Sequence, residues 1–312
     1  MVKCFKQVLL VMCALLMGAA MAGEVPVEDN RKVVINSYKW QGDSPKAKLV
    51  RVINPYGSVS SRTTKMANVE LSGVIQEIGD NPPQHQIEVK DVDGVTEVVV
   101  SYPQGAIRNA KGQLTGRFDL GVWVPSWVAL EVETDFGDIK VKKSASDVTA
   151  KSTSGKISIG TSGHVQAHSQ SGNVSVDFYG KTFRQGMKVS SQSGNVKVNM
   201  SKDARLVLTA KAGSKINNNF NEHQSVSVKQ FGDELQARLT SDVTQKIKPV
   251  FLHLDAQQGN LSINIANDAT YKVDKTPMMY SVNESNKKSK TNSVKDNQSS
   301  VTPKAPLAAA VK

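Results

Sequence analysis

Between Leu130 and Ile263 apolar and polar residues alternate on both sides of a recurring glycine. The phrase Leu130-Glu-Val-Glu-Thr-Asp-Phe-Gly137-Asp-Ile-Lys-Val141 returns from Val148 to Ile159 around Gly155, from Val165 to Val176 around Gly172, and from Met187 to Val198 around Gly194. Looser copies run from Leu206 to Ile216 around Gly213 and from Phe251 to Ile263 around Gly259. A period of two sends Leu130, Val132, Ile139 and Val141 to one face of a strand pair and Glu131, Glu133, Asp138 and Lys140 to water. Each unit therefore predicts two short strands around a bend. At the bend glycine supplies the positive φ of a tight turn, so that Gly172 and Gly194 hold conformations closed to β-branched residues.

One such unit cannot stand alone, because four buried aliphatics do not offset the entropy of ordering the whole unit. Stacking resolves this, since each rung shares its core and its backbone hydrogen bonds with the rungs above and below. The glycines lie 18, 17, 22 and 19 residues apart from Gly137 to Gly213, a drift that fits a solenoid with loops of variable length. The fold class expected is all-β, a β-solenoid or β-helix-like stack of short strands with turn glycines. Asp138, Asn173, Asn195 and Asn260, each just after its glycine, could line up as a polar ladder, interrupted at Lys156 and Ser214.

Residues 45–125 are less regular but still β in pattern. Val50 to Val59 reads as a degenerate first copy around Gly57. Gln86 to Val89, Glu97 to Ser101 and Phe118 to Val124 read as further strands, split by turn signals at Asp80-Asn-Pro-Pro and Asp93-Gly94. The division expected is a signal peptide 1–22, an N-terminal lead-in 23–44, an irregular β first half 45–125, regular repeats 126–281 and a disordered basic tail 282–312.

The run from Val124 to Val141, followed by Thr-Ser-Gly155-Lys-Ile and two Gln-Ser-Gly-Asn-Val phrases at Gly172 and Gly194, resembles a bacterial adhesin-like family of exported proteins. Val52 to Val59 is similar to that family's opening strand, and the likeness spans about Leu49 to Ile265. The resemblance implies an all-β, solenoid-like extracytoplasmic domain whose biochemical role is largely undefined.

Lys3 and Lys6, the apolar run Val8 to Leu16 and the small-x-small site Ala20-Met-Ala22 read as an export signal cut before Gly23. The run is short for a membrane span, so no transmembrane segment is expected in the mature chain. Cys4 and Cys13, the only cysteines, fall inside the signal, and neither a disulfide nor a lipid anchor is expected. Loss of Lys3 and Lys6 takes the formal charge from +11 to +9. From Val282 onward six lysines face two acids, a local excess of +4 that could meet anionic envelope polymers.

Candidate chemistry is sparse. His164 and His168 on one strand would stand about 13 Å apart, too far to share a metal ion, and His85, His223 and His253 have no ligand cluster nearby. Asp135 and Asp138 flank a single turn and read as turn chemistry. The serines recur with the turns, with no nucleophile elbow and no phosphate loop. Lysines alternating with serines and acids, without interleaved aromatics, argue against nucleic acid. No catalytic, cofactor-binding or metal-binding residue is assigned, and no cofactor is expected. The function expected is an exported, non-enzymatic scaffold, adhesin-like or binding an envelope component such as an anionic polymer or polysaccharide, in the periplasm or at the surface of a bacterium. A periplasmic accessory of envelope-stress signalling and a polysaccharide-active enzyme are the alternatives.

Overall fold

Alternation at a period of two becomes strands wherever the structure can be described, and no α-helix occurs among the described residues. In this computed structural model these are residues 33–42, 47–79, 85–102, 115–220, 226–239 and 250–266. All lie in the first of two compact units of the chain, 1–271 and 272–312. The signal 1–22, the lead-in up to residue 32, the turn signal at Asp80, His223, the end of the repeats after 266 and the basic tail 282–312 lie outside the described residues.

In chain order β1 (Val33–Gln41) precedes the first copy of the repeat, β2 (Leu49–Ile53) and β3 (Val59–Thr64), which flank Gly57. Then come β4 (Glu70–Ile78), β5 (Gln86–Val92), β6 (Val95–Ser101) and β7 (Gly116–Pro125). The regular repeats give β8 (Ala129–Thr134) and β9 (Ile139–Ser144), β10 (Val148–Ser152) and β11 (Ile157–Thr161), β12 (Val165–Ser169) and β13 (Val174–Phe178), and β14 (Met187–Ser191) and β15 (Val196–Ser201). The looser copies are β16 (Leu206–Ala212) with β17 (Ile216–Asn218), and β20 (Phe251–Ala256) with β21 (Leu261–Ala266). Between them runs the hairpin β18 (Val226–Phe231) and β19 (Glu234–Leu239).

The two strands of a rung belong to opposite sheets, ordered β1-β4-β7-β3-β9-β11-β13-β15-β21-β17 and β18-β19-β16-β20-β14-β12-β10-β8-β2-β6-β5. Inward residues from both sheets meet in one dry column: Leu130, Val132, Ile139 and Val141 of the first regular rung are buried, as are Val148, Ala150, Ile157 and Ile159 of the next. Neighbouring rungs are parallel and in register, Val148 opposite Leu130 and Val165, Ile157 opposite Ile139 and Val174. This is the β-solenoid that the repeat predicts.

Rung order in space departs from rung order in sequence at both ends. The rung of β2 and β3 lies between that of β6 and β7 and that of β8 and β9. The closing rung of β20 and β21 slides between that of β14 and β15 and that of β16 and β17. Both insertions have the same physical result. A rung with a complete apolar interior occupies an inner position, and the outermost rung carries antiparallel cover: β4 on β7 and β5 on β6 at one end, β19 on β16 at the other. β17, only three residues long and half exposed at Ile216, is thereby left at the sheet's edge.

The repeat glycines are there for a different reason from the one their turns suggest. Positive φ occurs at Gly79, Gly94 and Gly232, and at none of the repeat glycines. Gly94 with Asp93, also at positive φ, makes the tight turn of the β5–β6 hairpin. At the corners the constraint is contact between rungs. A Cβ on Gly137 would lie 1.8 Å from the carbonyl oxygen of Gly57, one on Gly155 1.9 Å from that of Gly137, and one on Gly172 2.0 Å from that of Gly155. Any side chain there would push the rungs apart.

Three residues before each of these glycines, Thr134, Ser152, Ser169 and Ser191 form a buried column. The Ser169 hydroxyl accepts the N–H of Gly172 at 2.8 Å and donates to the Gly155 carbonyl at 3.3 Å; Ser191 does the same for Gly194 and Gly172, both at 2.9 Å. These two hydroxyls thus close their own corners and hold the neighbouring ones. Ser169→Ala is expected to cost about 1–3 kcal/mol, since it leaves a buried donor and acceptor without partners. Ser171→Ala, at an exposed hydroxyl of the same corner, should stay within about 0.5 kcal/mol. Urea midpoints of the two variants measure the difference.

The polar ladder after the glycines exists in part. Asp138 Oδ1 accepts the Lys156 N–H, Asn173 Oδ1 the Asn195 N–H and Asn195 Oδ1 the Asn260 N–H, each at 2.8 Å. Lys156 breaks the series because it has no acceptor to offer. Beyond Asn260 the register of Ile216 on Leu261 brings in Lys215, not Ser214.

One corner of the stack is aromatic. Tyr56 and Phe136, each just before its glycine, stack at 5.4 Å, and Tyr102 meets Tyr56 edge-on at 5.3 Å. Burial pushes the Tyr102 phenol up to about 12. Its ordinary value in the unfolded chain is about 10, so the folded state holds this proton longer. Stability is therefore full below about pH 10 and falls as pH rises towards 12. Tyr102→Phe is expected to lessen that alkaline loss in melts across this range.

Candidate functional site

Returning from one sheet to the next rung, the chain uses three residues at 145–147 and again at 162–164, but eight at 179–186. Those five extra residues are the 22-residue interval between Gly172 and Gly194. They fold into a ledge held at several points. Phe183 meets the buried ring of Phe178 edge-on at 5.5 Å. The Tyr179 N–H donates to Thr161 O and the Arg205 N–H to Lys181 O, both at 2.8 Å, while the Lys181 ammonium pairs with Asp203 at 2.8 Å.

Asp147 and His164, from the two shorter returns, brace the ledge from below. Asp147 Oδ1 accepts the His164 N–H at 3.0 Å, and its Oδ2 accepts from Gln185 Nε2 at 3.3 Å. The His164 Nε2 faces the Gly186 carbonyl, which joins the second return to the end of the ledge.

This bracing makes a ridge with a recess on either side. One, of about 580 Å³, lies over the strand faces of β10, β12 and β14 and is lined by Lys151, Gln166, His168 and Lys188. The register places Thr149, Gln166 and Lys188 in one row across the strands and Lys151, His168 and Ser190 in the next. His168 Nδ1 bonds Ser190 Oγ at 2.9 Å. Lys151 and Lys188 are exposed and make no ion pair among the described residues. Arg51, further along the same sheet face, is held between Glu131 at 3.0 Å and Glu97 at 3.5 Å, and the Glu131 contact, then Glu97, raises its pKa above the ordinary value.

Across the ridge, a second recess of about 650 Å³ is lined by Trp127, Ser146, Ser162, Phe183 and Arg184. The Trp127 indole is 56 % exposed on the turn before β8. Among the described residues, Asp147 is the one carboxylate lining either recess.

The residues weighed from sequence fall as follows. His164 and His168 share the first recess, with separate partners. His253 Nδ1 bonds Thr209 Oγ1 at 2.6 Å, and His85 stacks on Phe118 at 5.9 Å. Asp135 and Asp138 are engaged with the next rung, at Thr153 Oγ1 and Lys156 N–H. Among the described residues no group of three or more His, Cys, Asp or Glu stands where it could hold a metal ion, and no helix is long and apolar enough to cross a membrane. Sequence reasoning missed Lys151, Lys188 and Gln185 as neighbours. The signal that could have found the site is the 22-residue glycine interval.

A parallel, two-sheet β-solenoid with a ledged polar face defines the class of protein. Within it, residues 125–233, from the junction before β8 to the turn after β18, match the family model described as Toastrack DUF4097. The adhesin-like resemblance of the repeat phrases falls on these same residues. Two solved structures are similar to the chain. One is a "putative cell adhesion protein" from Clostridium sporogenes, 12 % identical, with TM-score 0.42 over 75 % of this chain and 100 % of that one. The other is a "putative adhesin" from Bacteroides fragilis, 12 % identical, with TM-score 0.33 over 76 % of this chain and 99 % of that one. No curated protein matches the chain.

Proposed function

We propose that the chain is an exported, non-enzymatic scaffold of the adhesin-like kind, which holds a polymer of the bacterial envelope against the outer face of the sheet containing β10, β12 and β14. The observation that carries this reading is the ledge 179–186. It turns an otherwise even strand face into a polar recess with two exposed lysines that make no ion pair among the described residues, while the rungs beneath remain regular. The single carboxylate at the recesses spends both oxygens as acceptors for His164 and Gln185. Among the described lining residues no second carboxylate stands with it to share acid and base roles, which favours binding over cleavage. The signal-like start and its cut before Gly23 supply the route out of the cytoplasm.

Fractionation of cells making the tagged chain tests this, together with N-terminal sequencing and co-sedimentation with isolated envelopes. The expected result is a mature chain starting at Gly23 that sediments with the envelope and leaves the polymer at its original length. A chain that stays in the cytoplasm with its first 22 residues, or one that shortens the polymer, overturns the reading.

A further inference from the structure

We infer that the ledge site takes an acidic polysaccharide, with carboxylates of the glycan on Lys151 and Lys188 and a sugar ring on the Trp127 indole across the Asp147–Gln185 ridge. This rests on the binding role proposed above and names the chemistry of its ligand.

Three features of the surface converge on that class. The first is charge. Lys151 and Lys188 face the recess with His168 on the strand between them, and the one carboxylate among its described lining residues, Asp147, is already engaged by Gln185 and the His164 backbone. Beside the recess Glu133 of β8 lies opposite Lys151 in register, without an ion pair among the described residues, so the lining itself carries more positive than negative charge.

The second is spacing. Lys188 lies two strands from Lys151 and, by register, two residues back along the strand. At about 4.8 Å per strand and 3.3 Å per residue their Cα atoms stand about 12 Å apart. A single phosphate or carboxylate satisfies one lysine well, and a chain bearing repeated anionic groups satisfies both.

The third is the surface between and beside the cations. Gln166, Thr149 and Gln185 can both donate to and accept from hydroxyl groups. Trp127 presents a broad apolar ring at the edge of a polar recess, the setting in which an amphipathic aromatic packs on the C–H face of a sugar. A polyphosphate would use the lysines and waste both the indole and the amides. A neutral glycan would use the indole and waste the lysines.

The test is titration calorimetry on the mature chain with three probes of matched length: an oligogalacturonate, a neutral oligosaccharide and a linear polyphosphate. The oligogalacturonate is expected to bind, with affinity falling as salt rises. The double variant Lys151→Gln/Lys188→Gln should weaken it at least about tenfold, and Trp127→Ala at least about fivefold. The double variant Lys140→Gln/Lys197→Gln removes the same charge from the exposed face of the opposite sheet and should stay within about twofold. Neutral oligosaccharide binding as tightly as the acidic one overturns the inference, as does polyphosphate binding that Trp127→Ala leaves unchanged. So does oligogalacturonate binding that survives both groove variants, or its absence in the folded wild type. Failure here with the chain found on the envelope sinks the acidic-glycan assignment alone, whereas binding by a chain that never leaves the cytoplasm sinks the scaffold role alone.

Discussion

Gly172→Ala should lower the unfolding free energy by about 3–5 kcal/mol, a large share of what holds a domain together. The added methyl would sit 2.0 Å from the carbonyl oxygen of Gly155, an atom of the neighbouring rung's backbone that cannot rotate away. Relief requires separating the rungs, which stretches the backbone bonds from Gln170 to Ser152 and from Ser171 to Thr153 and pulls Ser169 off Gly155. Gly186→Ala provides the contrast within one molecule. Its methyl would lie 3.7 Å from Phe251 O, an ordinary contact, and should change stability by less than about 0.5 kcal/mol. Urea midpoints give both values. A near-neutral Gly172→Ala would mean that the corners do not touch.

Phe178→Ala is expected to cost about 3–5 kcal/mol, as for other fully buried aromatic rings. Its second effect is local. Phe183 loses the ring it meets edge-on, so the ledge 179–186 loses its apolar anchor. Limited trypsin digestion should then cut faster after Lys181 and Arg184, and oligogalacturonate binding should fall further than the drop in folded fraction explains. Phe183→Ala, at a half-buried side chain, should cost less stability and raise the same cleavage. Unchanged trypsin rates in both variants would detach the ledge from the aromatic pair.

The inward faces were legible because alternation is local: Val148, Ala150, Ile157 and Ile159 could be assigned to the core from their spacing alone. Glycine positions were legible too, though not their cause. A close approach between rungs is a property of two segments, and at Gly155 it looks in sequence like a turn requirement. Rung order was not legible for a related reason. Every rung offers its neighbours nearly the same apolar face, so nothing within Phe251 to Ile263 says that it sits between Val196 and Ile216 instead of beyond Ile216. What decides is the antiparallel cover at the end, β19 on β16, which the local pattern does not reveal.

β1 falls in the stretch read as a lead-in, with Val33 and Ile35 left exposed. β4 was hidden by Gly73 in mid-strand, ordinarily a mark against a strand. The structure needs that glycine, since a Cβ there would lie 2.5 Å from the Phe118 ring. The extra length of the return after Phe178 could be counted from the glycines. Its folding over β10, β12 and β14 depends on Phe183 finding Phe178, a tertiary event with no periodicity to announce it.

Paired cysteines test the interleaved stack most directly, in a chain made to begin at Gly23, which carries no native cysteine because Cys4 and Cys13 both precede that residue. Lys197 lies opposite Ser262, and Ser262 opposite Asn217, on adjacent strands about 4.8 Å apart. Lys197 and Asn217 are two strands apart, about 9.6 Å, beyond the roughly 7 Å limit for a disulfide. Oxidation followed by peptide mapping should show a disulfide in Lys197→Cys/Ser262→Cys and in Asn217→Cys/Ser262→Cys, and none in Lys197→Cys/Asn217→Cys. A disulfide between 197 and 217, with none between 197 and 262, would mean that the rungs follow sequence order and would contradict the fold described.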